Sequence, residues 1–340
     1  MKILVTGGTG YIGSHTVVEL QAQGHQVLIV DNLSNSHIGV LDQIEKISGI
    51  RPDFEEFDLA DIEKTKDFFS RNADIDGIIH FAAFKAVGES VGDPLMYYRN
   101  NIFSLVNILQ NMKDNDIENL VFSSSCTVYG QPEKLPVAED APVQKAMSPY
   151  GNTKQISEDI IQDTVKATNV KAVLLRYFNP IGGHESSFIG ELPLGVPNNL
   201  VPFITQTAIG IRKELSVFGS DYNTPDGTAV RDYIHVVDLA QAHVIAIDRM
   251  MNKKQKKEVE IFNLGTGNGF SVLEVIKSFE KMSGEKLNYK LVDRRPGDVE
   301  QVYADTKFAN DELGWKAKKS LDDMMDSSWK WELVLQKAKS

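Results

Sequence analysis

The sequence predicts an α/β fold, a doubly wound parallel sheet over residues 1–180 followed by a smaller α/β lobe over residues 181–340. Three observations carry that prediction. Through about residue 180, short apolar runs alternate with longer helical stretches, the pattern of a parallel sheet wrapped on both faces. The first run, Ile3 to Val5, leads through the turn Gly7-Gly8-Thr9-Gly10-Tyr11-Ile12-Gly13 into an amphipathic stretch with Val17, Val18 and Leu20. After residue 180 the texture changes, with Gly182-Gly183, Pro193, Gly195 and Pro197-Asn198-Asn199 close together.

In chain order, the strand candidates are Ile3 to Val5, Val27 to Val30, Phe54 to Phe57, Gly77 to Phe81, Leu120 to Ser123 and Ala172 to Arg176. Uninterrupted apolar runs such as Val27-Leu28-Ile29-Val30 suit strands buried on both faces. The pattern leaves the strand order open. In the second part Tyr222 to Gly227 reads as a long turn, and helical periodicity returns at Val236 to Met250, Val272 to Lys281 and Leu321 to Leu335, with a strand-like Val259 to Leu264. This part therefore packs a core too, and segments are expected to cross between lobes. Substrate specificity is expected to reside here. Lys253, Lys254, Lys256 and Lys257 read as a solvated connection.

Composition narrows the function. With 340 residues, 42% of them apolar, the chain can bury one large core or two modest ones. A formal net charge of -11 and a pI near 5.2 argue against general binding to nucleic acid or an anionic membrane, since both need a basic face. An anionic ligand would need local Arg or Lys. Met1 to Thr6 is broken by Gly7-Gly8 too soon for a signal peptide, and no apolar run approaches the ~20 residues of a membrane span. The lone Cys126 has no partner for an internal disulfide and cannot make a Cys-rich zinc site, so a cytoplasmic location is expected. No histidines stand at metal-ligand spacing. No metal is expected, and His15, His80 and His235 read as structural.

Glycines at positions 7, 10 and 13 permit a tight turn and close backbone approach to a pyrophosphate, while the following helix N-terminus offers unpaired N–H groups. The spacing differs from the commoner Gly-x-Gly-x-x-Gly. Asp31 ends the second run, placed to accept bonds from the adenosine ribose and to repel a 2′-phosphate. This favours NAD over NADP on a Rossmann-type sheet. By position, Asp58 and Leu59 fall near the adenine, and Phe81 to Ala83 near the bridge of the cofactor.

Ser123-Ser124-Ser125 follows the fifth run, and Tyr150-Gly151-Asn152-Thr153-Lys154 opens a helix further on. Four residues apart, Tyr150 and Lys154 share one helix face. A free phenol has a pKa of about 10, and a neighbouring ammonium with a positive nicotinamide ring favours the anion, making a base. A serine hydroxyl can share the substrate oxygen.

The motifs extend to Ser14-His15, His80-Phe81-Ala82, Lys85-Ala86-Val87-Gly88-Glu89-Ser90, Thr127-Val128-Tyr129-Gly130 and Ser148-Pro149. They continue through Leu175-Arg176-Tyr177-Phe178-Asn179-Pro180, Pro197 to Leu200, Arg231-Asp232-Tyr233-Ile234-His235-Val236 and Asn263-Leu264-Gly265. With these, essentially the whole chain resembles the extended short-chain dehydrogenase/reductases and, within them, the UDP-hexose 4-epimerases. The blocks Lys85 to Ser90 and Arg231 to Val236 are the most specific.

The resemblance implies that Ser125, Tyr150 and Lys154 are catalytic. It implies that NAD is held by Gly7, Gly10, Tyr11, Ile12, Gly13, Asp31, Asn32, Asn35, Ser36, Asp58, Leu59, Phe81, Ala82, Lys85, Asn100, Tyr150, Lys154 and Phe178. A UDP-sugar would be held by Ser125, Tyr150, Asn179, Asn199, Leu200, Phe218, Arg231, Tyr233, Arg295, Asp298 and Val302, with Arg231 and Arg295 on the diphosphate. The implied reaction interconverts UDP-glucose and UDP-galactose through a transient 4-keto sugar and bound NADH, with NAD regenerated each cycle. Val302 stands where a tyrosine would crowd the sugar C2, which implies room for the N-acetyl counterparts. A homodimer, through a helix pair including the Tyr150 helix, is also implied.

Cys126 stands where the family often has Ala, and Ala83 where Gly is common; both are small. Three other readings stay open, the first being another NAD-dependent nucleotide-sugar epimerase. A 4,6-dehydratase of the same fold would need an Asp-Glu pair where Cys126-Thr127 stand. A catalytically inactive NAD-binding sensor would have no use for the retained Ser125, Tyr150 and Lys154.

Overall fold

The computed structural model describes residues 1–294 and 299–339. Its strands are β1 (Lys2–Thr6), β2 (Gln26–Asp31), β3 (Asp53–Glu56), β4 (Gly77–His80), β5 (Asn119–Ser125), β6 (Lys171–Tyr177), β7 (Asn179–Ile181), β8 (Leu215–Phe218), β9 (Val230–His235), β10 (Val259–Leu264), β11 (Gly269–Ser271), β12 (Tyr289–Val292) and β13 (Gln301–Val302). The helices are α1 (Tyr11–Ala22), α2 (Val40–Ser48), α3 (Ile62–Arg71), α4 (Val87–Gly92), α5 (Pro94–Asp114), α6 (Pro149–Ala167), α7 (Leu200–Ala208), α8 (Val236–Met251), α9 (Val272–Ser283) and α10 (Leu321–Lys339). All six strand candidates of the first part are strands, and the three helices expected in the second part are α8, α9 and α10.

Among the described residues, seven strands form one sheet in the order β10-β6-β5-β4-β1-β2-β3, every pair parallel. Its apolar runs are continuous because successive side chains point to opposite faces and both faces are covered. Ile3 and Val5 of β1 join a core with Val17 of α1, Ile44 of α2 and Leu239 of α8, while Leu4 between them joins Phe68 of α3, Ile108 of α5 and Ile161 of α6. The same split separates Ile79 from Ile78 and Val121 from Leu120. Slipping any of these strands by one residue would exchange its two faces.

The chain runs from β1 outward to β3 and then returns to the other side of β1 as β4. That reversal opens a crevice beyond the carboxyl ends of β1 and β4, where open α/β sheets take ligands. Local chemistry sets the helices that meet it. Ser148 caps α6 by accepting a bond from the Gly151 N–H at 3.1 Å, with Pro149 in the first turn. At the start of α1, Gly10 caps with no side-chain bond, which leaves its first N–H groups facing the glycine turn.

A second group of strands forms around β9, which pairs antiparallel with β11 and parallel with β7 and β13, and a separate pair joins β8 to β12. Ile181, Ile204, Val217, Val275, Phe279 and Met324 make their core. β9 runs directly into α8, which packs on the first sheet, and β10 completes that sheet beside β6.

Candidate active site

The ends of β1, β2, β3 and β4 surround a cavity of about 790 Å³. It is lined by all but one of the residues expected around NAD: Gly7, Gly10, Tyr11, Ile12, Gly13, Asp31, Asn32, Asn35, Ser36, Asp58, Leu59, Phe81, Ala82, Lys85, Asn100, Tyr150 and Lys154. The exception is Phe178, which follows β6, gives its N–H to Leu264 O at 3.0 Å and lies in an apolar cluster with Val128 and Val302.

Two glycines have no room for a side chain. A Cβ on Gly7, whose φ is +70°, would stand 2.8 Å from Ala82 N, and one on Gly13 would stand 2.2 Å from Gly7 O. This packing draws the turn against the end of β4 and keeps the α1 N-terminus close to the cavity. Asp31 is oriented by three donors, Leu33 N at 2.9 Å, Thr9 N at 3.2 Å and Ser36 Oγ at 3.3 Å. Thr9, whose hydroxyl also meets Ser36 Oγ at 2.7 Å, was not singled out in the sequence although it stands between two of the glycines. Lys85 lies 3.6 Å from Glu191 and 5.7 Å from the Tyr11 ring centre, and the Tyr11 hydroxyl donates to Gly182 O at 2.6 Å. The cradle, the exposed helix N-terminus and the fixed carboxylate fit a dinucleotide.

Ser125 ends β5, while Tyr150 and Lys154 lie on the first turns of α6, and all three are buried. The Ser125 hydroxyl accepts the Thr127 N–H at 3.2 Å and lies near enough to the Tyr150 phenol to favour its anion. Lys154 Nζ donates to Ser123 O at 2.7 Å and stands 4.8 Å from the centre of the Phe122 ring. Burial lowers the Lys154 pKa to about 8, with Glu158 opposing that shift. The Tyr150 phenol, by contrast, is pushed well above 10, chiefly by burial and then by Tyr177, with Ser125 acting the other way. Burial, and not the lowering expected from Lys154, therefore governs this phenol.

The residues expected around a UDP-sugar are dispersed over the second group of strands. Asn179 pairs in register with Tyr233, whose hydroxyl is pushed up to about 12 by burial. Arg231 pairs in register with Val302 and gives Nη1 to the backbone oxygens of Val230 at 2.9 Å and Glu300 at 3.4 Å. Asn199 caps α7 and bonds Glu191, Leu200 is the first residue of that helix, and Phe218 ends β8 with 42% of its surface exposed. Of this group Tyr150 and Asn199 line the cavity. Val302 is buried with Phe178 and Val128, and Cys126 packs on the same cluster beside Ser125. Arg295 and Asp298 lie outside the described residues.

Glu191 and Trp331 also line the cavity, the Trp331 indole N–H donating to Glu191 O at 2.9 Å. Their sequence surroundings carry no motif that would have found them. His80 Nδ1 meets Thr6 Oγ1 at 2.7 Å, His15 Nδ1 meets Tyr11 O at 2.7 Å and His235 Nε2 meets Ser327 Oγ at 3.1 Å. Among the described residues no group of three or more His, Cys, Asp or Glu side chains could hold a metal ion.

A parallel sheet with a glycine turn after its first strand, and a Ser–Tyr–Lys group at the same edge, defines the class of the extended short-chain dehydrogenase/reductases. The family model described as GDP-mannose 4,6 dehydratase matches residues 4–328. The UDP-glucose 4-epimerase of Bacillus subtilis (strain 168) is 50% identical over 333 residues, 98% of this chain and 97% of that protein. That of Drosophila melanogaster is 49% identical over 337 residues, 97% of this chain and 96% of that protein. Among solved structures, the Stenotrophomonas maltophila UDP-glucose-4-epimerase with bound NAD and formylated UDP-arabinopyranose matches with a TM-score of 0.95 at 47% identity, covering 99% of each chain. The Bifidobacterium longum UDP-glucose 4-epimerase in complex with NAD+ and UDP matches at 0.94 and 47%, covering 98% of each. The chain belongs to this epimerase/dehydratase family and, within it, to the UDP-glucose 4-epimerases.

Proposed function

We propose that the chain is an NAD-dependent UDP-glucose 4-epimerase that interconverts UDP-glucose and UDP-galactose. The observation that carries this reading is Tyr150 and Lys154 lining the same cavity as the glycine turn and Asp31, with Ser125 at the end of β5 beside Tyr150. Bound along that cavity, NAD supplies the hydride acceptor for the sugar C4. Gly7, Gly13 and the α1 N-terminus would take its pyrophosphate and Asp31 its adenosine ribose.

Tyr150 accepts the proton of the sugar 4-hydroxyl, and Ser125, at the end of β5 beside it, shares the same oxygen. Lys154, with a pKa near 8, carries its charge at neutral pH and favours the phenolate when the site is occupied. The sugar passes through a 4-keto stage, and inversion requires it to present its other face. Binding energy must then come from the UDP portion, with Arg231 and Arg295 on the diphosphate, rather than from fixed contacts to the hexose.

The dehydratase and sensor readings account for less. A dehydratase lacks its acid–base pair where Cys126 and Thr127 follow Ser125, and Cys126, with burial raising its thiol to about 12, is no substitute. A sensor would not explain the buried Tyr150–Lys154 row. We further propose a cytoplasmic homodimer formed through α5 and the Tyr150 helix α6, because Leu95, Phe103 and Val106 leave large apolar groups exposed along α5. The working units proposed are an NAD lobe over residues 1–180, completed by α8 and β10, and a substrate lobe over the remainder. The test is conversion of UDP-galactose to UDP-glucose by purified protein in buffer without NAD. Steady turnover is expected, and strict dependence on added NAD would contradict a cofactor recycled in place.

A further inference from the structure

The middle serine of the triplet at the end of β5 has had no task so far. Ser123 lends its carbonyl to the Lys154 ammonium, and Ser125 sets its hydroxyl, which accepts the Thr127 N–H, beside Tyr150. Between them the fully buried Ser124 donates to Glu158 Oε1 at 2.5 Å. Glu158 stands one helical turn beyond Lys154, so Tyr150, Lys154 and Glu158 form a row four residues apart along α6.

The second anchor of Glu158 is Arg176 on β6. Arg176 Nε reaches Oε1 at 3.0 Å and Nη2 reaches Oε2 at 2.5 Å, and each residue is 4% exposed. The remaining guanidinium nitrogen, Nη1, donates to the Tyr129 hydroxyl at 3.0 Å, and that hydroxyl donates to Asn263 Oδ1 at 2.6 Å. One carboxylate thus ties α6 to β5 directly, to β6 through Arg176, and to β10 through Tyr129 and Asn263. A buried ion pair is weak evidence for stability, because well-packed apolar residues often serve as well. Apolar residues could not hold Ser124 by hydrogen bonds or place a negative charge one turn from Lys154.

We propose that Glu158 is a positioning residue for the reaction: by clamping Ser124 and Arg176 it holds the Tyr150–Lys154 face of α6 in register with the strand carrying Ser123 and Ser125, and it supplies the negative charge facing the Lys154 ammonium. This rests on the epimerase reading for its effect on turnover, but not for its effect on Lys154. The other titratable groups around the row are His80 on β4, which burial keeps neutral with a pKa of about 3, and Tyr177 on β6. Cys126 and Tyr129 follow β5, and Tyr97 on α5 donates to Glu89 of α4. Against desolvation, which lowers Lys154, Glu158 is the group that raises it, while Arg176 is held by Glu158 itself.

The test uses NAD-bound protein labelled with ¹³C at lysine, with the Lys154 ε-carbon titrated by NMR and the pH profile of kcat measured on UDP-galactose. In Glu158→Gln the Lys154 midpoint is expected to fall by about one pH unit, the alkaline limb of the profile to fall with it, and kcat to drop tenfold or more while KM stays within threefold. Should the stranded Arg176 charge keep Glu158→Gln from folding, Glu158→Gln combined with Arg176→Met removes that charge and is expected to show the same midpoint shift and loss of kcat. A Lys154 midpoint that does not move, or an unchanged kcat, in either folded variant overturns the proposal. The midpoint needs no turnover, so a wild type unable to epimerise UDP-galactose would sink the functional reading while leaving the coupling between Glu158 and Lys154 measurable.

Discussion

At Tyr150 two opposed influences meet. Burial makes a phenolate costly, and the ammonium of Lys154, one turn along α6, is placed to offset that cost once the site is filled. Replacing Tyr150 by Phe removes one hydroxyl and little volume, so bound NAD and the melting temperature should stay near wild type while kcat falls by roughly two orders of magnitude or more. Turnover within tenfold of wild type would exclude Tyr150 as the base. At the other end of the cavity, Asp31 is fixed by Thr9, Leu33 and Ser36. Asp31→Ala should weaken NAD binding and narrow the preference over NADP, and an unchanged ratio of the two dissociation constants would remove Asp31 from the ribose. Val302 is buried beside Phe178 and Val128, and in the proposed sugar site a tyrosine there would take the room beside the sugar C2. Overfilling costs about 1 to 3 kcal/mol, and Val302→Tyr should therefore lower kcat/KM for UDP-N-acetylgalactosamine about ten- to a hundredfold while sparing UDP-galactose. Equal losses on both substrates would make Val302 plain wall.

Elements differed in how openly the sequence declared them. Five of the six strands of the first part were legible because each holds a run of apolar residues buried on both faces, β3 at the sheet edge being Asp-Phe-Glu-Glu and half exposed, and α6 because Ser148-Pro149 marks its start. The order of the strands was not legible, since a parallel neighbour is chosen by the path of the crossover and leaves no mark on the strand itself. For the same reason β7, β11 and β13, only two or three residues each, emerge through their pairing with β9. In the site, the glycine turn, Asp31 and the Tyr150–Lys154 row were readable from spacing, whereas Glu191 and Trp331 reach the cavity only through tertiary packing. The tightest of these local requirements can be tested. A Cβ at Gly13 would lie 2.2 Å from Gly7 O, backbone that cannot rotate aside. Gly13→Ala should force the turn open and yield protein that retains little or no NAD on purification. A normal cofactor content, read by absorbance of the acid-released nucleotide, would show that the turn has slack.

Across the whole molecule, four buried histidines are held neutral. Burial lowers His15 and His80 to about 3, and His235 and His243 to about 4. Below a pH of about 6.5 the unfolded chain protonates these rings and the folded protein does not, so stability should fall as pH drops from there toward 4. Each ring contributes a slope of up to about 1.4 kcal/mol per pH unit. Glu139 and Asp232, which burial pushes up, oppose the trend as they take up protons. Urea midpoints measured at pH 7 and pH 5 should differ clearly, and equal midpoints would mean the rings are not neutral inside. The crossing of α8 and β10 into the first sheet has a consequence for synthesis. When β6 leaves the ribosome, its outer edge has no partner until Leu264 follows, which at about 5 to 20 residues per second takes roughly 4 to 18 seconds. During that interval the nascent chain presents Val173 to Leu175, wholly buried in the finished protein, along an open strand edge. Chains stalled before residue 259 should accordingly be retained by chaperones or aggregate, and release should coincide with the emergence of β10.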